Sequence, residues 1–280
     1  MSLPRNLTLL RHGESEGNWA KKMSEKGDHS LFTPEFRARH SSTFHLTNKG
    51  IEQAKIAGDW IRKNIGPEFD GYYTSDCTRA LETAAWLRIP FAQWDPRHEL
   101  VEREWGDLDI VSDEEKGAKY REVMEARQKD GFFWRALNIE PMSNVCLRVN
   151  HALQKMARKF SGKNVIVVCH GEIMWAFRML LEGLTSWEYA RLDSSTDKKE
   201  RMLNCQILQY TREEPALGEN PATGIPAKKS KKLSTDFTWM RSVCATDPTL
   251  SSNIWTKIER KKYSNAELLK IAESTPRMIN

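Results

Sequence analysis

Two distant segments of this 280-residue chain are built alike, as an apolar run that ends in His-Gly-Glu. The first reads LTLLRHGE and contains His12, and the second reads VIVVCHGE and contains His170. A continuous run of aliphatic, largely β-branched residues predicts a strand buried on both faces, as in a parallel sheet covered by helices. Each histidine would then lie at the carboxyl end of its strand, where open α/β sheets bind ligands. A single histidine at a strand end is usually structural, but two placed by the same local geometry indicate a functional pair across one crevice.

The rest of the chain alternates between strand and helix patterns. The predicted strands cover residues 6–10, 70–74, 164–169 and 203–210. The predicted helices cover residues 46–66, 78–87 and 172–184, with one more capped by Ser143 and one that starts at Ser264. Thr47 supplies the N-cap of the first long helix. Strands alternating with long helices predict the α/β class, here a three-layer α/β/α sandwich with a mostly parallel sheet and a C-terminal extension.

Composition changes along the chain and suggests three parts. Residues 1–210 carry the α/β pattern and would form the main domain. Residues 211–235 are rich in Pro, Gly and Lys, which is typical of a loose connector. Residues 236–280 contain Trp239 and Trp255, which are unfavourable to expose, so we expect this extension to pack on the main domain. Within the main domain, residues 19–45 lack periodicity, as in a lid or a substrate-binding loop.

Charge and cysteine content bear on location and partners. The chain is 39% hydrophobic and 29% charged, an ordinary globular composition. No stretch approaches the roughly 20 apolar residues of a membrane span, and the N-terminus does not resemble a signal peptide. Five cysteines without paired spacing favour reduced thiols and a cytoplasmic location.

The net charge of +5 is concentrated in the C-terminal part. Residues 1–210 hold 31 Lys and Arg against 30 Asp and Glu, and residues 211–280 hold 12 against 8. A near-neutral main domain gives no reason to expect nucleic acid as a partner. The short lysine run at residues 228–232 is more typical of a solvated linker than of a binding site for an anionic partner. The sequence is also compatible with a homodimer.

Five motifs occur in order along the chain, from the first histidine segment to the second. They are RHGESEGN at residues 11–18, LTNKGIEQA at 46–54, TSDCTRALETA at 74–84, ELVEREWGDL at 99–108 and VVCHGE at 167–172. Over about residues 6–210 the chain resembles the histidine phosphatase superfamily, also called the phosphoglycerate mutase-like family. The resemblance implies a phosphohistidine intermediate, a small phosphorylated metabolite as substrate, and neither a metal nor another cofactor.

The residue types explain why that chemistry would work. A neutral imidazole is a competent nucleophile near pH 7, because its unperturbed pKa is about 6.5. We expect His12 to attack phosphorus with one ring nitrogen while a backbone carbonyl holds the other. Arg11, Arg79 and His170 would stabilise the charge on the transferring group, a role in which arginine meets phosphate oxygens two at a time. The expected phosphate- and substrate-binding residues are Asn18, Gly171, Arg37 and Arg39.

A phosphomonoester also needs an acid that protonates the leaving oxygen. Glu102 matches the family's acid position, and Glu104 is a rival two residues further on. Burial raises the pKa of a carboxyl group whereas nearby arginines lower it, and the sequence leaves the net direction open. An acidic run of this kind is otherwise typical of a solvated face.

Two departures from the family pattern favour hydrolysis over mutase activity. The stretch between Glu102 and His170 is shorter than in phosphoglycerate mutases and lacks their grouping of basic residues for the substrate carboxylate. RARHSSTFHLTNKG also replaces the usual aromatic-glycine stretch, as in broad-range phosphatases. A mutase, a binding-only pseudoenzyme and a histidine-metal hydrolase remain as alternatives, although no HExxH or comparable ligand spacing occurs.

Overall fold

The computed structural model describes residues 2–129, 131–136, 138–215, 233–251 and 253–273. Its strands are β1 Asn6–Arg11, β2 Gly71–Thr74, β3 Asp95–Pro96, β4 Asn164–Cys169, β5 Gln206–Thr211, β6 Trp239–Cys244 and β7 Thr256–Lys257. Its helices are α1 Glu16–Ser24, α2 Pro34–Arg37, α3 Asn48–Asn64, α4 Thr78–Trp86, α5 Asp113–Lys119, α6 Arg121–Lys129, α7 Met142–Lys159, α8 Gly171–Arg178, α9 Ser186–Asp193 and α10 Asn265–Glu273. Most of the predicted connector, with its lysine run, lies outside the described residues.

Within the described residues the strands form one sheet in the order β3-β2-β4-β1-β5-β6-β7. The first four of these strands are parallel to one another, and β5, β6 and β7 join antiparallel at the other side. The two histidine-bearing strands β1 and β4 are therefore direct neighbours at the centre. This arrangement confirms the predicted α/β fold, with four of the seven strands in the parallel part.

Alternating side chains of the central strands supply two apolar layers. Val165 and Val167 of β4 pack in one cluster with α7 and α8, and Ile166 and Val168 pack in the other with α3 and α4. The helices form one layer on each face of the sheet. Apolar clusters therefore lie on both sides of the sheet, as the predicted three-layer sandwich requires. Within the described part of the chain, no helix combines the length and the apolar character needed to cross a membrane.

The ends of the helices test the predicted caps. The Thr47 hydroxyl accepts a hydrogen bond from the Gly50 amide at 3.1 Å, so the predicted N-cap of α3 is confirmed. The prediction that Ser143 caps a helix is wrong, because α7 already begins at Met142 after Pro141. The amide of Ser143 donates instead to the carbonyl of Phe132 at 3.3 Å.

Residues beyond 235 continue the sheet. Strand β6 pairs along its whole length with β5, from Gln206 opposite Cys244 to Thr211 opposite Trp239. Phe237, just before β6, is fully buried in the cluster beneath α7 and α8. These contacts favour the docking predicted for the extension, while the division into domains at residues 210 and 235 stays a prediction.

We expect Phe237→Ala to destabilise the fold by about 3–5 kcal/mol, because the substitution leaves a cavity in a packed core. The Phe237 ring lies 5.9 Å from the ring of Tyr210 on β5, centroid to centroid, so the loss falls on the strand that joins the extension to the sheet. Urea-induced unfolding measures the change. Phe91→Ala is the matched control, because Phe91 is 90% exposed. Equal free energies of unfolding for the two variants would contradict the docking of the extension.

Candidate active site

The central pair of strands brings the two histidines together. β1 and β4 are in parallel register with Arg11 opposite Cys169, and the amide of His12 donates to the carbonyl of Cys169 at 2.9 Å. The residue after the end of each strand is a histidine, and the two rings lie edge to face with centroids 5.0 Å apart. The repeated sequence pattern therefore corresponds to one crevice at the carboxyl edge of the sheet.

The His12 ring is fixed in one tautomer by its own backbone. Nδ1 lies 2.7 Å from the carbonyl oxygen of Gly13, which can only accept, so Nδ1 carries the proton. Nε2 is left with its lone pair and accepts a hydrogen bond from Nε of Arg79 at 3.2 Å. Burial lowers the pKa of His12 well below its ordinary value, and the charges of Arg79 and Arg11 add to this. The ring is therefore a neutral base near pH 7.

Close backbone contact holds the loop after β1. A Cβ atom on Gly13 would collide with the carbonyl oxygen of Gly50 on α3, and a Cβ atom on Gly50 would collide with the carbonyl oxygen of Glu14. The amide of Thr47 also donates to the Glu14 carbonyl at 2.9 Å. The glycines of the RHGE and LTNKG motifs thus let two backbones touch, and this contact fixes the position of His12.

Two arginines supply positive charge at the crevice. Arg79 lies in the first turn of α4 and is buried, and one of its terminal nitrogens donates to the Ser41 carbonyl at 2.6 Å. Arg11 ends β1 and donates to the carbonyl of Met202. Its Nε atom is buried and has no hydrogen-bond partner among the described residues. Both guanidinium groups can therefore offer N–H groups to a phosphoryl oxygen.

His170 is fully buried beside His12. Its Nε2 lies 2.8 Å from the hydroxyl of Ser75, which also accepts the Cys77 amide at 3.2 Å. Nδ1 has no partner in the part of the chain that the structure describes. Burial, followed by the charge of Arg79, lowers the pKa of His170 well below its ordinary value. A neutral His170 whose Nε2 accepts a hydrogen bond from the Ser75 hydroxyl carries its own proton on Nδ1, where it can donate to an anion.

The structure shows in which direction the pKa of Glu102 is shifted, a question that the sequence left open. Burial raises the pKa of Glu102, the nearby Glu172 raises it further, and the charges of Arg79 and Arg11 oppose the change without reversing it. Glu102 lines the same cavity as His12. Glu104 is exposed and lies outside that lining. Of the two candidate acids, geometry favours Glu102.

A cavity of about 590 Å³ extends from His12 toward the helices that follow Glu102. Its wall includes six of the predicted residues, namely Arg11, His12, Asn18, Arg79, Glu102 and Gly171.

Asn18 also belongs to the capping box of α1, and its side-chain oxygen accepts a hydrogen bond from Asn204 at 2.9 Å. Asn204 also donates to the His12 carbonyl at 3.1 Å. The sequence around Asn204, just before β5, did not predict this contact.

A family model of the histidine phosphatase superfamily, branch 1, matches residues 7–217. The chain belongs to this superfamily. A 2,3-bisphosphoglycerate-dependent phosphoglycerate mutase of Methylorubrum populi is 30% identical over 200 residues, which are 69% of this chain and 87% of that protein. A chicken 6-phosphofructo-2-kinase/fructose-2,6-bisphosphatase is 27% identical over 171 residues, which are 61% of this chain and 31% of that protein.

Solved structures share the fold of this histidine phosphatase superfamily member. A mycobacterial glucosyl-3-phosphoglycerate phosphatase in complex with inorganic phosphate superposes with a TM-score of 0.57 at 20% identity, over 74% of this chain and 89% of that one. A structure described as mycobacterial hydrolase 2 gives a TM-score of 0.60 at 18% identity, over 97% of both chains. The second likeness extends over the C-terminal extension as well as the main domain.

In this superfamily member, Arg37 and Arg39 lie outside the lining of this cavity, and their role in binding substrate stays a prediction. Arg37 donates to the carboxylate of Glu115 at 2.7 Å and to the Ile110 carbonyl at 3.0 Å. Arg39 is paired with the carboxylate of Glu16 at 2.8 Å. Because these acidic partners hold both guanidinium groups, the two arginines fasten residues 19–45 to their surroundings.

Basic residues outside the predicted set of site residues also line the cavity. Arg103 follows Glu102 directly, and Lys116 and Arg127 come from α5 and α6. Within an acidic run, an arginine gives no signal that distinguishes it from a surface residue. Among the described residues, no group of three or more His, Cys, Asp or Glu side chains is placed to hold a metal ion. Metal independence itself stays a prediction.

Proposed function

We propose that this chain hydrolyses small phosphomonoesters through a phosphohistidine on Nε2 of His12, without a metal. The orientation of the His12 ring carries the proposal. Gly13 holds the proton on Nδ1, and Nε2 is turned toward Arg79 in a cavity that Glu102 also lines. A nucleophile, a cationic group and an acid of raised pKa are the parts that this reaction needs.

The reaction proceeds in two displacements. In the first, Nε2 of His12 forms a bond to phosphorus, the bond from phosphorus to the ester oxygen breaks, and that oxygen takes the proton of Glu102. In the second, the oxygen of a water molecule bonds to phosphorus, the bond from phosphorus to Nε2 of His12 breaks, Glu102 takes a proton from the water, and inorganic phosphate leaves. Arg11, Arg79 and the Nδ1–H of His170 stabilise the charge that the three equatorial oxygens carry.

Mutase activity is the second candidate, and its support is the 30% identity to a phosphoglycerate mutase. A mutase must retain its intermediate while the phosphoryl group returns to a second oxygen, whereas a hydrolase admits water. The sequence after Glu102 departs from the pattern of basic residues that the resemblance implies for mutases, although Arg103, Lys116 and Arg127 do line the cavity. Hydrolysis is therefore the reaction that we propose first.

The test measures phosphate release from a panel of phosphomonoesters, with a chelator present throughout, beside the interconversion of 3- and 2-phosphoglycerate. We expect phosphate release that exceeds interconversion and does not change on chelation. Fast interconversion that 2,3-bisphosphoglycerate stimulates, with little phosphate released, would replace the hydrolase by the mutase. Loss of activity with the chelator and recovery with one metal would overturn metal independence.

A further inference from the structure

The segment at residues 19–45 brings three phenylalanines to the cavity, and the proposed reaction uses none of them. Phe32, Phe36 and Phe44 all line the cavity that contains His12, and we call them the phenylalanine wall. Phe44 is buried, whereas Phe32 and Phe36 are only half-buried. Apolar ring surface that stays uncovered inside a cavity favours an apolar ligand, because the ligand removes that surface from water.

The rings of the phenylalanine wall are held in a fixed arrangement. Those of Phe36 and Phe44 are stacked, with centroids 4.6 Å apart and an angle of 12° between their planes. Phe32 meets Phe36 edge to face, with centroids 5.8 Å apart. Phe44 lies against Gly17, where an added Cβ atom would be only 2.9 Å from the ring. The wall therefore loses little freedom when a ligand binds, which favours affinity.

Two arginines of the same segment stabilise this arrangement. The guanidinium carbon of Arg37 lies 5.3 Å from the ring centroid of Phe32, and that of Arg39 lies 5.0 Å from the centroid of Phe44. Such contacts between a cation and a ring are attractive. Because neither arginine lines the cavity, the segment contributes rings to the lining without these two charges.

Aliphatic side chains of a second segment complete an apolar slot. Leu108, Ile110 and Val111 line the same cavity. The guanidinium group of Arg37 joins the backbones of the two segments, because it donates to the carbonyl of Phe32 at 2.9 Å and to that of Ile110 at 3.0 Å. One side chain thus holds the phenylalanine wall and the aliphatic residues close together.

The slot adjoins the group that holds the nucleophile. Nε of Arg79 donates to His12, and a terminal nitrogen of the same guanidinium group donates to the carbonyl of Ser41 at 2.6 Å. Ser41 lies three residues before Phe44 and lines the cavity, as does Asp109, a polar residue among the aliphatic ones. An ester with its phosphorus at Nε2 of His12 can therefore place its alcohol part along the phenylalanine wall.

We infer that the phenylalanine wall binds the alcohol part of the substrate, and that this part carries an aromatic ring. The inference rests on the proposed hydrolase, because His12 must hold the phosphoryl group of the same ester. A ring that enters the slot extends the stacked and edge-to-face contacts that the wall already makes. Phe32 and Phe36, whose rings are still partly uncovered, are then the residues that determine specificity.

The test uses 2-phenylethyl, 2-cyclohexylethyl and ethyl phosphate, whose leaving alcohols are of similar acidity. Because the intrinsic ease of ester cleavage is then matched, kcat/KM reports on how the alcohol part binds. We expect the phenyl ester to exceed the ethyl ester about 10- to 100-fold, from burial of the ring. It should exceed the cyclohexyl ester about 2- to 10-fold, from contacts between aromatic rings. A cyclohexyl or ethyl ester as good as the phenyl ester would overturn the inference.

Substitutions in the wall test which residues are responsible. Phe36→Leu removes the middle ring and keeps an apolar side chain, so it should lower the preference for the phenyl over the cyclohexyl ester about 2- to 10-fold. Phe36→Tyr, which keeps the ring, should retain the preference. Phe91→Leu is the matched control, because Phe91 is 90% exposed and does not line the cavity. Phe32→Leu covers the case in which Phe36→Leu does not fold, which thermal unfolding detects. Equal losses for all the esters would overturn the role of the wall.

Binding to the His12→Ala variant separates this inference from the proposed reaction. Calorimetric titration should show tighter binding of 2-phenylethyl phosphate than of ethyl phosphate, and Phe36→Leu in that background should reduce the difference. If the native protein hydrolyses none of these esters but the binding difference persists, the hydrolase proposal fails and the aromatic site stands. If hydrolysis occurs and neither binding nor kcat/KM discriminates among the esters, the aromatic site fails alone.

Discussion

Replacing His12 by alanine should abolish turnover of every phosphomonoester, with a loss on the order of 10⁴-fold or more, as for other nucleophiles of covalent catalysis. The reason is geometric, because Nε2 of His12 is the nitrogen that Gly13 leaves unprotonated in the cavity. Brief reaction with ³²P-labelled substrate, quenched in alkaline detergent, should label the native protein and not the variant. His98→Ala is the control, because its side chain is 89% exposed.

Replacing His170 by alanine should give a different result from replacing His12. If the Nδ1–H of His170 only stabilises the transferring group, kcat should fall about 10²–10³-fold, as when one donor to a developing negative charge is removed. Labelling of His12 should still be detectable. Label retained in His12→Ala, or found on His170 in the native protein, would contradict the assignment of the nucleophile.

The second large effect is expected at Glu102. Glu102→Gln should lower kcat/KM for an alkyl phosphate about 10²–10⁴-fold, since the leaving alkoxide then lacks its acid. The loss should be much smaller for p-nitrophenyl phosphate, because a nitrophenolate leaves without protonation. Glu104→Gln, at the exposed position two residues on, is the matched control and should leave both rates near their native values. Equal losses for both substrates would remove Glu102 from the acid role.

The pH profile gives an independent check on Glu102. Burial and Glu172 raise the pKa of this carboxyl group, so its proton persists to higher pH than in an ordinary glutamate and is lost as pH rises through the raised pKa. The lowered pKa of His12 keeps the nucleophile unprotonated on the acidic side. We therefore expect kcat/KM for alkyl phosphates to fall as pH rises, and Glu102→Gln to lack that descending limb. A limb unchanged in the variant would belong to another group.

What the sequence predicted well depended on local pattern. β4 is recognisable as a buried strand because every residue from Val165 to Val168 is apolar, and the repeat of that pattern before His12 predicted the neighbouring strand. The pairing of the histidines followed from parallel strands ending at one edge. Likewise, Thr47 is a good cap by residue type alone.

What the sequence did not predict depends on distant partners. The pKa of Glu102 is raised by burial and by Glu172 on α8, against the opposing charge of Arg79 on α4, and only the fold brings these influences together. The ion pair of Arg37 was not predicted, because Glu115, its partner 78 residues downstream, is not visible as such in the sequence.

The sequence pattern predicts no strand in the extension, because WMRSVC lacks a clear period. β6 forms nonetheless, since the backbone of β5 pairs with it residue for residue from Gln206 to Thr211. Strand formation there is decided by the neighbouring strand and not by local propensity.

The backbone contact between Gly13 and Gly50 limits how this enzyme scaffold can be redesigned. Since an added methyl group at either position meets a carbonyl oxygen and no movable side chain, a second substitution nearby has little room to relieve the clash. A saturation library over both motifs should return glycine at both positions. Variation placed on residues 103–127 instead would alter the cavity wall while His12 keeps its place, so that region is where new substrate preferences can be selected.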